Sequence, residues 1–428
     1  RALLNNSHHV ITDTPTFEKN GWTGDAQLTA PMGLYNFEIE QFYRKFLADL
    51  RDSQIASGEL APIVPTSGWG LTGNPNSKWQ SVLGAVPAWD AALFVMTWET
   101  YQHTGDSEVI RENYAAMQKY LAFLDSVAKD HVVSAGLGDW HAPNGGPSEG
   151  AAISSTAWYY KMADILLNCA VVLDDDAQQQ RCRELKANIF KAFNKRFLNK
   201  ARNGYESGRE KGYRQTSNIQ PLTFGLVPDE HRSAVFGRLK SELCKSGKPK
   251  LNTGILGTRY LLDVLADDGE VDLAYALLTG KTYPSWGYWF ANGHVSLAEK
   301  WELTSRTWSH HMYGSIDVWL YQYLAGINPA SPGFKEIAIT PHIPTALESA
   351  TATVNTPAGK IKSAWKKNEK GGYLFELEVP KGVKATFALP HGVPGINSDD
   401  EGIKAGLVLP AGRSTIRITP NGKVIITR

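Results

Sequence analysis

A chain of 428 residues with 42% hydrophobic and 20% charged side chains can bury a large core, either as two or three average domains or as one large helical domain with a smaller companion. Lys+Arg 44 against Asp+Glu 43 leaves a net charge of +1, and no basic run is interleaved with aromatics, so nothing points to nucleic acid as a partner. No apolar stretch approaches the roughly 20 residues that span a bilayer, so no membrane partner is expected.

In chain order, the first notable segment is Asp13 to Asp25, which sets Asp13, Glu18, Trp22 and Asp25 among Thr, Pro, Gly and Asn. Carboxyl groups this close repel each other's charge, so at least one is expected to hold its proton near neutral pH. Carboxyls with a flat indole suit a sugar-cleaving site; an acidic turn capping a helix, with Trp22 in the core, fits the same residues. Helical spacing then runs through Tyr35, Phe37, Ile39, Phe42, Phe46, Leu47 and Leu50, predicting one long helix. Ala88 to His103 forms another, stopped by Gly105, and Asp106 caps a third through Tyr114, Met117, Tyr120, Leu121 and Leu124. Further helical runs cover 152–173, 176–198, 215–226, 229–245, 254–266, 270–279 and 308–325, with a short one at Leu297 to Trp301. That makes about eleven, near the twelve of a closed double ring of helices. The Trp-, Gly- and Pro-rich loops Pro62–Pro87, Gly136–Gly150 and Thr282–Gly293 are long enough to read as functional.

After Gly326-Ile327-Asn328-Pro329 the period changes to two. Runs at Ile337–Thr340, Ala350–Val354, Lys360–Trp365, Tyr373–Val379, Lys384–Leu389 and Ser414–Ile418 alternate with turns such as Glu369–Gly372 and Pro420–Gly422. This predicts an antiparallel β-sandwich of about 95 residues. Three cysteines, Cys169, Cys182 and Cys244, are too few for a disulfide framework and lack CxxC spacing, and His8-His9 has no partner at ligand spacing. No metal or cofactor is expected. The chain opens on Arg1 without a signal peptide and reads as a mature form or a piece of a longer polypeptide, for which a secreted or periplasmic setting is compatible.

The run Thr12-Asp13-Thr14-Pro15-Thr16-Phe17-Glu18-Lys19-Asn20-Gly21-Trp22-Thr23-Gly24-Asp25-Ala26-Gln27 resembles the signature of the inverting α-L-rhamnosidases of glycoside hydrolase family 78. Gly293-His294-Val295-Ser296-Leu297-Ala298-Glu299-Lys300-Trp301 is similar to the family's later motif, and Gly138-Asp139-Trp140, Pro284-Ser285-Trp286-Gly287-Tyr288 and Ser309 to Ile327 extend the likeness over essentially the whole chain. The resemblance implies a mainly α protein, an (α/α)6 barrel over 1–328 and a C-terminal antiparallel β-sandwich over 329–428. Full-length members usually carry further β domains upstream.

By the same resemblance Glu18 is the general acid and Glu299 the general base, about 6.5–9.5 Å apart so that a water fits between base and sugar. Asp13, Asp25 and Asp139 would accept hydrogen bonds from sugar hydroxyls, and Trp22 and Trp140 would shield the 6-methyl face of rhamnose. Trp286 and Tyr288 would wall the pocket, His311 would donate to the substrate, and Asp90 either lines the pocket or opens the helix at 88–103. Thr16 and Phe17 stand where many members have Arg and Asp/Glu, and His310 stands where Asn commonly precedes the family's His. The implied partner is a rhamnose-terminated glycoside or polysaccharide. Two other readings stay open: a lyase for rhamnose-uronate linkages on the same barrel, and a non-catalytic glycan-binding relative. The identity of the aglycone follows no code legible in the loops.

Overall fold

In the computed structural model the described residues are 1–428 apart from 67, 69, 73–84, 144–149, 209–211, 390–405, 421 and 428. Parts of the predicted loops Pro62–Pro87 and Gly136–Gly150, and Asn421 of the last predicted turn, therefore lie outside them. Five helices are buried over most of their circumference: Thr23–Asn36, Ala92–Thr104, Ala151–Val172, Thr216–Phe224 and Ile255–Asp267. Each is followed by a helix that turns one apolar face inward: Glu40–Asp52, Glu108–Val127, Asp176–Phe197, Asp229–Cys244 and Val271–Thr279. Glu40–Asp52 shows the pattern clearly, burying Tyr43, Phe46, Leu47 and Leu50 and leaving the rest to solvent. The inner helices touch one another in chain order, and a 3₁₀ segment, Met312–Ile316, packs against both Ile255–Asp267 and Thr23–Asn36. That contact closes the ring. The result is an (α/α)6 barrel.

The helical prediction needs three corrections. The run expected to be one helix from Tyr35 to Leu50 is two, because Phe37 is extended (φ −141°, ψ 153°). The Asn36 amide caps the first helix on Met32 O and binds Asp317 Oδ2 at 2.6 Å, so the chain leaves the buried inner ring before restarting at Glu40 on the outside. Leu297 to Trp301 is not helical: its backbone is paired across to a neighbouring loop, His310 N–H to Leu297 O at 3.1 Å and Glu299 N–H to Thr307 O at 3.2 Å. The predicted helix 308–325 is broken into Met312–Ile316, Asp317–Trp319 and a π-type turn Leu320–Leu324.

From Ile327 onward the chain builds two facing sheets. The larger runs Val424–Thr427, Gly412–Ile418, Tyr373–Val379, Gly359–Lys367, Ser349–Thr356, all antiparallel. Its register sets Trp365 opposite Phe375 and Phe375 opposite Ile416, a row of large apolar groups on the inner face. The smaller sheet, Ile327–Pro329, Glu336–Ile339, Lys384–Phe387 and Leu407–Leu409, departs from the antiparallel expectation, since Glu336–Ile339 and Lys384–Phe387 pair in parallel. The sandwich is tied to the last turn of the barrel by Trp365 Nε1 to Leu324 O (2.7 Å) and Ser363 Oγ to Ala325 O (2.6 Å).

Candidate active site

One end of the ring opens into a cavity of about 620 Å³ lined by Asp13, Glu18, Trp22, Asp25, Trp89, Trp140, Glu299 and His310, with Asn20, Ile63, Pro65, Thr66, Leu137 and Met312 between them. Reciprocal bonds close the loop that carries Asp13 and Glu18: Asp13 N–H reaches Asn20 O and Asn20 N–H reaches Asp13 Oδ1, both at 2.9 Å. Gly21 then passes Val64 so closely that a Cβ would lie 1.8 Å from the Val64 carbonyl oxygen, and Val64 N–H bonds Gly21 O at 2.9 Å. Only glycine admits that approach. Trp22 heads the helix Thr23–Asn36 and Asp25 lies in its first turn. At the tip of the loop, Glu18 accepts from Trp22 Nε1 at 3.0 Å and from Arg306 at 2.9 Å.

The opposite wall comes from two loops. Glu299 sits in the irregular segment before Trp301, with its Oε1 3.4 Å from His141 Nε2; both side chains are largely buried (14% and 11% exposed). Trp140 and His141 follow Asp139, whose carboxylate accepts Gly254 N–H (2.6 Å), Leu256 N–H (2.8 Å), Gly257 N–H (3.2 Å) and the Thr216 hydroxyl. The three N–H groups are free backbone donors at the start of the helix Ile255–Asp267, so Asp139 fastens its loop to that helix. A Cβ at Gly254 would lie 2.0 Å from Trp140 O, so a glycine is needed for the loop to seat there. Tyr313 also holds this loop, donating to His141 O at 2.6 Å.

The carboxyls have been driven apart chemically. Burial, helped by repulsion from Glu18 and only partly offset by the Asn20 N–H bond, leaves Asp13 pushed up to about 7. Asp25 is raised well above the ordinary range by burial and by the charges of Asp13, Glu18 and Glu299. Glu299 moves the other way: the His141 hydrogen bond is the largest cause lowering it, and with the pull of Lys300 it outweighs the effect of partial burial. His310 is pushed down to about 3 by burial, so a neutral imidazole faces Asp25, Nδ1 to Oδ1 at 3.2 Å. The cavity thus holds protonated and ionised carboxyls side by side at neutral pH, as general acid–base chemistry requires. Among the described residues no three His, Cys, Asp or Glu are grouped to hold a metal ion.

Residues 1–324 match the family described as the bacterial alpha-L-rhamnosidase 6 hairpin glycosidase domain, and residues 326–404 match the bacterial alpha-L-rhamnosidase C-terminal domain. The chain belongs to the bacterial α-L-rhamnosidase family. It is 31% identical over 409 residues to an α-L-rhamnosidase of Formosa agariphila, covering 91% of this chain and 42% of that protein. A Streptomyces avermitilis α-L-rhamnosidase is 31% identical over 398 residues, 90% of this chain and 36% of its own length. The chain therefore spans less than half the length of these relatives. Among solved structures, the α-L-rhamnosidase of Dictyoglumus thermophilum superposes with a TM-score of 0.88 at 31% identity, over 98% of this chain and 48% of that one. The Streptomyces avermitilis enzyme complexed with L-rhamnose gives 0.83 at 28% identity, over 98% and 40%.

Of the residues expected at the site of this family member, Asp13, Glu18, Trp22, Asp25, Trp140 and Glu299 line the one cavity. Five others are placed elsewhere. Asp139 is fully buried with both oxygens occupied, so it holds the Trp140 loop and has no oxygen free for a sugar hydroxyl. Trp286 donates to Tyr313 O at 3.0 Å, packs edge-on against Trp301, and faces a separate apolar cavity with Leu3 and Phe290. Tyr288 packs edge-on against Tyr283 and does not line the cavity. His311 is wholly buried, its ring nitrogens bonded to the Thr29 hydroxyl and to Thr12 O at 2.9 Å each, so it braces the inner ring and its neighbour His310 reaches the cavity. Asp90 accepts from Val86 N–H and the Tyr120 hydroxyl inside the core, and Trp89 beside it is the lining residue. Nothing in the sequence singles out His141, Trp89 or Arg306, and His310 is marked there only as standing where Asn commonly precedes the family's His. Only the doubled His310-His311 carried a signal there, and no periodicity says which of two adjacent rings faces a cavity.

Proposed function

We propose that this chain is the catalytic portion of an exo-acting α-L-rhamnosidase that releases terminal rhamnose with inversion, Glu18 acting as general acid and Glu299 as general base. The observation that carries the reading is the pairing of Glu18 and Glu299, 281 positions apart, on one cavity of about 620 Å³, within the size range of small-ligand sites. Glu299, held below the ordinary range by His141, is ionised and suited to draw a proton from water. Glu18 stands on the more exposed side, where the leaving group departs, and delivers a proton to the glycosidic oxygen. Asp13 and Asp25, carrying protons near neutral pH, can donate to as well as accept from sugar hydroxyls. Trp22, Trp89 and Trp140 give the 6-methyl group an apolar wall. Buried Asp25, His310 and Trp89 close one end, which suits a chain terminus over a mid-chain segment.

The test is release of p-nitrophenol from its α-L-rhamnoside, with NMR of the anomer formed first. Appearance of the β-anomer is expected. No release would overturn the activity, and the α-anomer appearing first would overturn inversion. An unsaturated uronate product from a rhamnose-uronate polymer would identify a lyase.

A further inference from the structure

We propose that Arg306 forms the leaving-group subsite of this cavity and selects glycosides in which the rhamnose is attached to an anionic sugar, a uronate. The inference rests on the rhamnosidase reading above. The oxygen that Glu18 protonates is the one joining rhamnose to the rest of the substrate, so whatever follows it lies on the Glu18 side of the cavity, toward solvent. The group standing there is a guanidinium. Arg306 donates to Glu18 Oε1 at 2.9 Å and lies over the Phe17 ring, 5.0 Å from its centroid. Its side chain is 56% exposed and that of Glu18 35%.

A guanidinium has five N–H donors in a planar fork that matches a carboxylate in two parallel bonds. One bond to Glu18 leaves most of that fork for a second anion. An ion pair between groups this exposed is weak, so a uronate carboxylate can replace or join Glu18 at Arg306 at little cost. The stack on Phe17 keeps the guanidinium plane fixed while its partners change, and a planar cation held on an aromatic face retains its orientation better than a lysine would. Arg306 is also placed by the machinery it serves. Its loop is closed by Ser305 Oγ to Thr307 O at 3.0 Å, and Thr307 O accepts Glu299 N–H at 3.2 Å, so one short loop spaces the cation from the proposed base. Lys300 adds a second positive charge near the same wall, acting on Glu299. The ionised Glu299 would otherwise repel an acidic substrate; the Arg306 cation bonded to the lining residue Glu18 offsets that locally.

The experiment compares α-L-rhamnosyl-(1→4)-D-glucuronate with its own methyl ester, which removes only the charge, as substrates for the protein and for Arg306→Met and Arg306→Lys, with the aryl rhamnoside alongside. Expected is a kcat/KM about tenfold or more in favour of the free acid, carried mainly by KM and weakened by added salt. Arg306→Met should bring the acid-to-ester ratio close to one, and Arg306→Lys should keep part of it. Because the readout is a ratio of two substrates on one protein, a general loss of folding or turnover leaves it unmoved. A wild-type ratio near one, or a ratio that survives Arg306→Met, overturns the inference while aryl rhamnoside cleavage upholds the parent reading. Cleavage of none of the three overturns both.

Discussion

The helical ring and the paired sheets treat buried polar groups differently. In the sheets, strands such as Tyr373–Val379 alternate inward and outward, and the buried polar side chains among the described residues are Ser363 and Ser414. In the ring, Asp13, Asp25, Asp90, Asp139 and Glu59 are all buried. Burying a carboxyl is costly unless donors surround it or it keeps its proton. Asp139 takes the first route, with four donors on its two oxygens. Asp13 accepts from Asn20 N–H yet is still raised by burial, and Asp25 faces a neutral His310, so both take the second. Those two face the cavity. Asp90 and Glu59, each with one unpartnered oxygen, are also raised by burial but lie off the cavity. What sets Asp13 and Asp25 apart is that they combine incomplete hydrogen bonding with a place on the cavity wall, whereas Asp139 spends both oxygens on fastening a loop.

The largest effect that could break this contrast is catalytic. Glu18→Gln and Glu299→Gln keep shape and remove proton transfer, so turnover should fall roughly 10²–10⁴-fold with the circular dichroism unchanged. Glu18→Gln should be milder on a nitrophenyl rhamnoside than on a disaccharide, since a good leaving group needs little protonation; a reversed dependence would exchange the two roles. Next comes stability. Asp139→Ala strands four donors, each costing about 1–3 kcal/mol when buried and unpaired, and should lower the urea midpoint and the yield of folded protein. Phe375→Ala in the sheet core should cost about 3–5 kcal/mol by leaving a cavity, yet keep turnover per folded molecule. If Asp139→Ala proved as stable as wild type, its fastening role would be lost.

A smaller effect is in pH dependence. His141 is the main cause holding Glu299 low, so His141→Ala should move the ascending limb of the kcat/KM profile to higher pH, whereas a purely structural role would lower the whole profile without moving it. The smallest concerns stability against pH. Asp13 is raised from 3.8 to about 7 on folding, so the fold favours its protonated form. Its contribution is complete below about pH 4 and is lost as pH rises through 7. Asp13→Asn should flatten the stability profile over that window and raise the melting temperature at pH 8 by about 2 °C or more, while weakening substrate binding. An unchanged slope between pH 4 and 7 would remove Asp13 from the set of protonated carboxyls.

Much of the architecture was legible because its signals are local. Runs at 152–173, 176–198 and 229–245 fall on helices within a residue or so, and Tyr373–Val379 is a strand as read. Misreadings arose where a long-range partner overrode a local pattern. Leu297 to Trp301 has helical spacing but bonds across to Thr307 and His310, and Trp301 is drawn into a stack with Trp289 at 4.8 Å. Strands Ile327–Pro329 and Leu407–Leu409 are too short to show a period of two.

The chain's own order of residues determined that helices of period 3.6 give way to strands of period two near residue 326, and that Asp13, Glu18, Trp22 and Asp25 share one short loop and helix start. Those are properties of neighbours along the backbone, set by dihedral preferences and by the need to turn one face inward. Only closure of the ring decided that Glu299 and Arg306 meet that loop, that His310 and not His311 reaches the cavity, and that Asp139 is used up by the helix at Ile255 while Trp140 is exposed to the cavity. Each of those outcomes depends on which distant donor or acceptor a buried group finds first, and that choice exists only once the inner helices have packed.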